Sequence, residues 1–408
     1  MHRGVASASS LRGFAIDYDN LDDVDSDDDS PPLRPADWKP RASFTRYPPR
    51  RLRTYAIVTV LVLVLLYLTF RRGHSHPAPG PHPYLRYEAV DWSRFAYSQY
   101  VTTSAYLCNA VMVFEALHRL GSRAERILFY PEDWDTWIEN GNDRDSQLLV
   151  MARDQYNVQL IPIKPESIRS ISDARDPTSW DWSITKLYAF SQTQYDRVLH
   201  IDSDVTILQN MDELFFLPPA RVAMPRAYWD NPRSGKLTSL LVLIEPSYAE
   251  YQALMEASRP VVHGQIVTNS TPGHEMYDME LLNERYGGSA LVLPHRQYGL
   301  LTGEFRTKDH RNFLGNDYEK WDPDRVLSEA KLVHFSDWPL PKPWVMWPQA
   351  LLAEMLPKCD VKPGTDEESG CRDREVWREL YEDFRRRRKE ICKLLSYPAP
   401  DWPPRQSS

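Results

Sequence analysis

Two aspartates, one residue apart, follow a short apolar segment near the middle of the chain. The apolar segment is 197–201 (RVLHI), and Asp202-Ser203-Asp204 comes directly after it. In an extended chain, residues i and i+2 point to the same side, so the two carboxylates should face one space. Two like charges held side by side are unfavourable unless a divalent cation or a proton offsets them. The motif therefore predicts a metal site that also holds diphosphate oxygens, although D-x-D also occurs in ordinary surface turns.

The segments that must position this pair alternate between patterns typical of strands and patterns typical of helices. Strands are expected at 95–101, 126–130, 158–163 and 197–201, and helices at 106–120, 147–155 and 186–191. Such alternation indicates right-handed β-α-β units, and hence an α/β fold with a mostly parallel sheet. Ligands of such sheets bind beyond the carboxyl ends of the strands, which is where the two aspartates lie.

The overall composition excludes several classes of protein. The chain has 408 residues, of which 42% are hydrophobic and 12% aromatic, so it can bury a large core and is not wholly disordered. Its net charge of −8 provides no general basic surface, so we expect no nucleic-acid partner. Four cysteines allow three complete pairings in an oxidising compartment. We expect Cys359 to pair with Cys371, and Cys108, on an apolar helix face, to be a buried thiol.

The N-terminal part divides into segments of different composition. Residues 1–53 hold an acidic run followed by Pro and Arg, which predicts a disordered tail. Residues 54–70 carry no charge and would span about 26 Å as a helix, which predicts a single transmembrane anchor. A Pro-rich stem is expected at 71–91, a globular domain at 92–357 and a C-terminal extension at 358–408.

Basic residues flank the predicted anchor more densely on its N-terminal side than on its C-terminal side. This bias predicts a cytosolic N-terminus, with the globular domain on the lumenal side. Asn269 begins an Asn-Ser-Thr sequon that could be glycosylated there. Near the C-terminus, 375–395 is predicted to be helical, and its basic run 385–389 to be a solvated face.

Five ordered blocks between residues 95 and 347 resemble the nucleotide-sugar glycosyltransferases of family eight, which include glycogenin. In the central block, Lys186 stands sixteen residues before Asp202, with a Tyr-Asp pair and the D-x-D motif following the lysine. The blocks are 100–117 (YVTTSAYLCNAVMVFEAL), 183–208 (SITKLYAFSQTQYDRVLHIDSDVTIL), 278–283 (DMELLN), 293–294 (LP), and 334–336 (HFS) with 342–344 (KPW). The resemblance implies a GT-A type, Rossmann-like catalytic domain.

The same resemblance implies roles for individual residues. It gives Asp202, Asp204 and His334 as ligands of a divalent cation, and their mixed oxygen and imidazole donors suit Mn²⁺ better than Ca²⁺. It gives Lys342 as a contact to the diphosphate of a UDP-sugar donor. The chemistry of a leaving group with two negative phosphates gives Lys186, together with Lys342, the role of helping the cation neutralise that charge. The implied nucleotide contacts are Tyr100, Thr102, Thr103, Tyr106 and Ser203.

Within that family, the sequences of segments 106–121 and 334–344 are similar to those of the fungal Golgi α-N-acetylglucosaminyltransferase branch, whose members have a single N-terminal anchor. This implies a type II Golgi membrane protein that uses UDP-N-acetylglucosamine and a glycan or glycoprotein acceptor bearing mannose. The chain departs from the family pattern at 238–240, where Thr-Ser-Leu replaces Asn-Ser-Gly, and at Met279, where Gln is usual. Both changes fall on the sugar-facing side, so UDP-glucose and UDP-galactose remain alternative donors.

The family transfers sugars with retention of anomeric configuration. Asp278 is the carboxylate that could act as nucleophile in a double displacement, whereas front-face attack needs none. Two other functions stay open on the sequence alone. Thr206 completes a D-x-D-x-T pattern seen in metal-dependent phosphohydrolases, and an anchored lectin-like protein would need no catalytic acids. The closing His334 and the predicted lumenal position favour the glycosyltransferase.

Overall fold

The computed structural model divides the chain into two compact units, residues 1–84 and residues 85–408. It describes residues 59–63, 90–137, 143–167, 179–230, 234–258, 276–337, 342–346, 348–361, 364, 368–393 and 397–398. Of the first unit, residues 59–63 are described and are helical. Within the described ranges, no helix has both the length and the apolar character to cross a membrane. Most of the predicted anchor, the tail 1–53, the stem up to residue 89 and Asn269 lie outside these ranges.

The strands of the second unit form one large sheet and three small ones. In chain order they are β1 (Phe95–Tyr100), β2 (Glu125–Pro131), β3 (Val158–Ile163), β4 (Arg197–Ile201), β5 (Val205–Ile207), β6 (Val222–Pro225), β7 (Leu241–Ile244), β8 (Leu291–Leu293), β9 (Leu300–Leu301), β10 (Leu332–His334), β11 (Val345–Met346), β12 (Asp360–Val361), β13 (Glu368–Ser369) and β14 (Tyr397–Pro398). Among the described strands, seven make up the large sheet in the order β3-β2-β1-β4-β7-β6-β8. Only β7 runs antiparallel to its neighbours there, which confirms the mostly parallel sheet.

Helices cover both faces of the large sheet, so the fold is α/β. They are α1 (Ser104–Arg119), α2 (Arg144–Tyr156), α3 (Tyr248–Ser258), α4 (Asp278–Tyr286), α5 (His295–Tyr298), α6 (Arg311–Leu314), α7 (Pro323–Glu329), α8 (Gln349–Met355) and α9 (Arg372–Cys392). Two hydrophobic clusters result. The larger packs α1, α2 and α9 with β5 and β10, and the smaller packs α3 and α4 on the opposite face. The central strands β1, β2 and β4 are apolar and nearly wholly buried, as parallel strands covered on both faces must be.

The segment 186–191, predicted to be an α-helix, belongs instead to a 3₁₀-helix over Ser179–Ser191. The other predicted strands and helices that precede the aspartates are confirmed: 158–163 and 197–201 match the predicted bounds, and the ends of the others shift by at most three residues. A 3₁₀-helix has three residues per turn, so residues three apart lie on one side. Ser183 and Lys186 accordingly face the same cleft.

The C-terminal helix α9 corrects two sequence predictions. Cys359 does pair with Cys371, but Cys108 is not a free thiol, because it forms a disulfide with Cys392 at the end of α9. The basic run is not wholly solvated either, since Arg387 and Arg388 are buried against α1.

Both buried arginines have acceptors on α1, as buried cations require. Arg387 donates to the carbonyl of Met112 at 3.1 Å and pairs with Glu115 at 2.5 Å. Arg388 donates to the Asn109 side chain at 2.7 Å. Sequence periodicity could not show this, because the partners lie nearly 280 residues away.

Candidate active site

A cleft of about 740 Å³ opens where β1 and β4 end, and nearly all the residues predicted for the site line it. They are Tyr100, Thr102, Tyr106, Lys186, Asp202, Ser203, Asp204, Asp278, His334 and Lys342. Thr103 is exposed just before α1 and does not line the cleft. The fold thus brings together side chains from five separate stretches of the chain.

The two aspartates lie between the large sheet and a small one. The amide of Asp202 donates to the carbonyl of Leu240, at the start of β7, at 2.8 Å. The carbonyl of Asp204 accepts from the amide of Phe335 at 2.9 Å, extending the antiparallel pairing of β5 with β10. Because His334 ends β10, this pairing places its imidazole beside Asp204, with Nε2 and Oδ1 3.1 Å apart.

Asp202, Asp204 and His334 have the arrangement of a metal site. Their possible ligand atoms all lie within 4.8 Å of one another. Two carboxylates and an imidazole are a donor set that Mn²⁺ accepts. In addition, Nδ1 of His334 is buried and has no hydrogen-bond partner in the described part of the chain. These residues therefore fit a divalent cation.

Lys186 joins two of the acids. Its side chain is only 4% exposed, and Nζ lies 2.9 Å from Asp202 and 2.6 Å from Asp278. The ammonium also donates to the carbonyl of Ser239 at 3.2 Å, and the Ser239 hydroxyl donates to Asp278 at 2.5 Å. Asp278 is thus not a solvent-facing helix residue but a fixed, buried carboxylate at the first turn of α4.

Lys342 holds the other aspartate. Its Nζ lies 2.5 Å from Oδ2 of Asp204 and donates to the carbonyl of Phe335 at 2.8 Å. At this end of the cleft, three carboxylates are therefore paired with two ammonium groups. Such a cluster can exchange its internal ion pairs for a cation and a diphosphate, which carry opposite charges.

The pKa values of these groups follow from burial and from their partners. Burial raises the pKa of Asp202 above its usual range, although Lys186 opposes the effect. Burial also disfavours ionisation of Asp204 and Asp278. At Asp204, the nearby His334 and Lys342 outweigh the effect of burial and lower the pKa of the carboxyl group. At Asp278, Lys186 does the same. Asp204 and Asp278 are therefore ionised at neutral pH.

A buried histidine behind the site went unnoticed in the sequence, because it sits within the apolar strand β4. Nδ1 of His200 lies 2.9 Å from the Ser98 hydroxyl, and its ring stacks on Tyr100 with centroids 5.7 Å apart. Burial, and then the charge of Lys186, lower the pKa of His200 well below its usual value. The imidazole is therefore neutral and supports Tyr100 at the cleft floor.

Sequence reasoning also missed a group of lining residues that belong to no recognisable motif. These are Tyr228, Trp229, Glu304, Thr307, Asp309 and Asn312. Ser183 also lines the cleft, and it begins the block 183–208, but the sequence assigned it no role. Ser239 had been noted, but only as part of a departure from the family pattern.

Curated relatives named Glucose N-acetyltransferase 1 match most of the chain. The protein from Aspergillus fumigatus is 68% identical over 311 residues, which cover 76% of this chain and 80% of the relative. The one from Gibberella zeae is 48% identical over 317 residues, covering 77% and 66%. The one from Saccharomyces cerevisiae is 26% identical, covering 75% and 82%. No family model matches the chain.

Solved structures match more weakly. The glycosyltransferase GlyE of Streptococcus pneumoniae is 17% identical, with a TM-score of 0.44, and the match covers 76% of this chain and 66% of that one. The galactosyltransferase LgtC, solved with donor and acceptor sugar analogues, is 14% identical, with a TM-score of 0.41, covering 71% and 95%. The assignment therefore depends on the sequence relatives: the chain belongs to the family of the fungal glucose N-acetyltransferase 1 proteins, and it is a sugar-transferring enzyme.

Proposed function

We propose that this chain is a retaining, Mn²⁺-dependent glycosyltransferase of the GT-A type. It transfers N-acetylglucosamine from UDP-N-acetylglucosamine to a mannose-bearing glycan. The observation that carries the proposal is the convergence of Asp202, Asp204 and His334 within 4.8 Å, flanked by the ammonium groups of Lys186 and Lys342. This is the combination that a metal-bound diphosphate requires.

The protein's own groups would orient the donor. Tyr100 and Tyr106 offer aromatic surface at the nucleotide end of the cleft, and Tyr106 packs edge-on against Trp344, with centroids 5.2 Å apart. Lys342 and Lys186 would turn from their carboxylate partners to the diphosphate oxygens. A divalent cation held by the acids and His334 would supply Lewis acidity that offsets charge on the leaving group.

Asp278 suits a role close to the sugar. It lines the cleft, is ionised, and is held by Lys186 and Ser239. In a double displacement Asp278 would attack the anomeric carbon as the bond to the UDP oxygen breaks, and the acceptor hydroxyl would then displace Asp278 and lose its proton. In front-face attack UDP would leave on the side from which the acceptor hydroxyl enters, its diphosphate would take the hydroxyl proton, and Asp278 would instead stabilise developing positive charge on the sugar ring. Both routes give retention of configuration.

The name of the relatives describes acetyl transfer, whereas the site favours transfer of the whole sugar. The decisive experiment uses the full chain in detergent with UDP-N-acetylglucosamine labelled separately in its ring and in its acetyl group. In the presence of Mn²⁺, we expect both labels to enter a mannose-bearing acceptor. In the presence of a chelator, we expect neither label to enter it. Transfer of the acetyl label alone would overturn the proposal.

The same assay separates the alternatives left open by the sequence. UDP-glucose and UDP-galactose tested in parallel identify the donor. Release of phosphate from phosphoesters without sugar transfer would indicate a phosphohydrolase, and glycan binding without turnover would indicate a lectin.

We also propose that the protein is a type II membrane protein of the Golgi with a lumenal catalytic domain. The uncharged segment 54–70 and the basic residues before it support this topology. In sealed microsomes, added protease should remove residues 1–53 and spare the remainder, and Asn269 should carry a glycan. Protection of the tail with digestion of the catalytic domain would contradict the orientation.

A further inference from the structure

The donor chemistry uses only part of the cleft. A second wall, here called the outer wall, consists of Tyr228, Trp229, Glu304, Thr307, Asp309 and Asn312. It begins beside the metal site, because Leu301 pairs with His334 between strands β9 and β10, and a 3₁₀-helix over Thr302–Arg306 follows at once. A molecule lying on the outer wall would therefore adjoin the reacting end of the donor.

The outer wall differs in charge from the donor end. Among the described residues that line the cleft, the lysines are Lys186 and Lys342, and both belong to the diphosphate end. The outer wall instead contributes the carboxyl groups of Glu304 and Asp309, of which Asp309 forms an ion pair with Arg311 at 2.5 Å. The negative charge of Glu304, which has no such Lys or Arg partner among the described residues, disfavours an anionic ligand in this half of the cleft.

Trp229 presents an indole ring to this space. It is 41% exposed, which is unusual for so large an apolar side chain. Tyr228 packs edge-on against it with centroids 5.3 Å apart. Tyr228 is itself buried against Phe313 and His295, at 5.0 and 5.1 Å. An exposed aromatic ring that lines a cleft and packs on a buried tyrosine is suited to the C–H face of a pyranose ring.

Glu304 lies in the same wall, lines the cleft and is almost fully buried. It contacts Nδ1 of His310 at 2.8 Å, and that imidazole stacks on Trp321 with centroids 3.8 Å apart. No Lys or Arg of the described ranges forms an ion pair with Glu304. A carboxylate held in this way, without a fixed cation, is an acceptor for sugar hydroxyl groups.

We propose that Trp229 and Glu304 form the acceptor subsite and bind an uncharged terminal pyranose of the acceptor glycan. The indole stacks on one face of the sugar ring, and the carboxylate accepts hydrogen bonds from its hydroxyl groups. The inference rests on the proposed glycosyltransferase function and deepens it, because it specifies a neutral acceptor and excludes phosphorylated or uronate-bearing glycans.

The test compares Trp229→Ala with Trp229→Phe, Glu304→Gln and a matched control, Trp137→Ala. Trp137 is 74% exposed and lies outside the cleft, so its loss changes an exposed tryptophan without touching the subsite. Initial rates are measured on the full chain in detergent while UDP-N-acetylglucosamine and mannobiose are varied separately. Melting temperatures verify that each variant is folded.

Trp229→Ala should raise the KM for mannobiose by at least about 5-fold, with the KM for the donor changed less than about twofold. Trp229→Phe should recover much of the loss, and Glu304→Gln should raise the acceptor KM by about 5-fold. Trp137→Ala should match the wild type. An increase in donor KM with an unchanged acceptor KM would overturn the proposal, as would better transfer to a phosphorylated mannobiose than to the neutral one.

Saturation-transfer NMR measures the binding of mannobiose and therefore tests the proposed subsite independently of turnover. If no sugar is transferred, the proposed function fails, but the subsite still stands if Trp229→Ala abolishes mannobiose binding and Trp137→Ala does not. Equal binding by the wild type and Trp229→Ala would overturn the subsite even in an active enzyme.

Discussion

Nε of Arg385 donates a hydrogen bond to the backbone carbonyl of Pro343 at 2.8 Å. Pro343 follows Lys342, the residue that contacts Asp204, so helix α9 holds the segment that presents this lysine to the cleft. Trp344, next in the chain, packs against Tyr106 of α1. The C-terminal helix therefore supports the Lys342 end of the cleft without lining it.

Arg385→Ala should raise the KM for the UDP-sugar by about 5-fold, because loss of a charge-assisted hydrogen bond frees the Lys342 segment. The acceptor KM should change little, and Arg385→Lys should recover part of the effect. Arg386→Ala is the matched control, since Arg386 is exposed and pairs with Asp383 and Glu390 of its own helix. Equal kinetics for both alanine variants would contradict this positioning role.

The disulfide between Cys108 and Cys392 closes a much longer loop than its counterpart. Its sequence separation is 284 residues, against 12 for Cys359–Cys371. A longer closed loop restricts the unfolded chain more, so removing the first bridge should cost about 2–5 kcal/mol and exceed the loss from removing the second.

The measurement is thermal unfolding of the double variants Cys108→Ala/Cys392→Ala and Cys359→Ala/Cys371→Ala. The first should melt at least about 5 °C below the wild type. A larger decrease for the second pair would contradict the ranking of the two bridges by loop length.

The parts of the structure that sequence predicted are those encoded locally. Apolar runs gave the parallel strands, and the strand-end position of Asp202 and Asp204 indicated the edge where ligands bind. The motif spacing that implied Lys186 places it 2.9 Å from Asp202.

Features that depend on distant partners were not predictable in this way. Arg387 and Cys108 were misinterpreted because each finds its partner across the packed pair α1 and α9. Trp229 and Glu304 belong to no motif, and only the folded chain shows that they share a wall of the cleft. A single sequence does not show which polar groups become buried when the partner that buries them is distant in the chain.

Glu250 gives a pH-dependent prediction. It joins α3 to α4, the helix that begins with Asp278, by accepting hydrogen bonds from Arg285, at 2.6 Å, and from Tyr286. The hydrogen bond from Arg285 has the largest effect and that from Tyr286 the next largest, and together they lower the pKa of Glu250 to about 2. A lowered native pKa means that the stabilisation is fully present above the unfolded pKa, near 4.5, and is lost as the pH falls towards 2.

Glu250→Gln should therefore destabilise the protein by about 1 kcal/mol at pH 7, and by progressively less below about pH 4.5. Denaturant unfolding at a series of pH values measures the difference. Glu284→Gln, an exposed substitution on the same helix as Arg285, should stay within about 0.5 kcal/mol of the wild type. A destabilisation by Glu250→Gln that does not change with pH would show that the ion pair is not its source.

The metal site gives the sharpest prediction, because the chain offers a matched acid nearby. Asp204→Ala or Asp202→Ala should reduce sugar transfer at least about 100-fold, since even outer partners of metal ligands cost about 10–100-fold when removed. Asp204→Asn keeps the side-chain volume and should lose nearly as much, and His334→Ala should weaken Mn²⁺ binding. Asp196 precedes β4 and forms a surface pair with Arg94, so Asp196→Ala should be nearly silent. Mn²⁺ titration of activity and of binding measures all of them, and comparable losses in Asp196→Ala and Asp204→Ala would contradict the assignment.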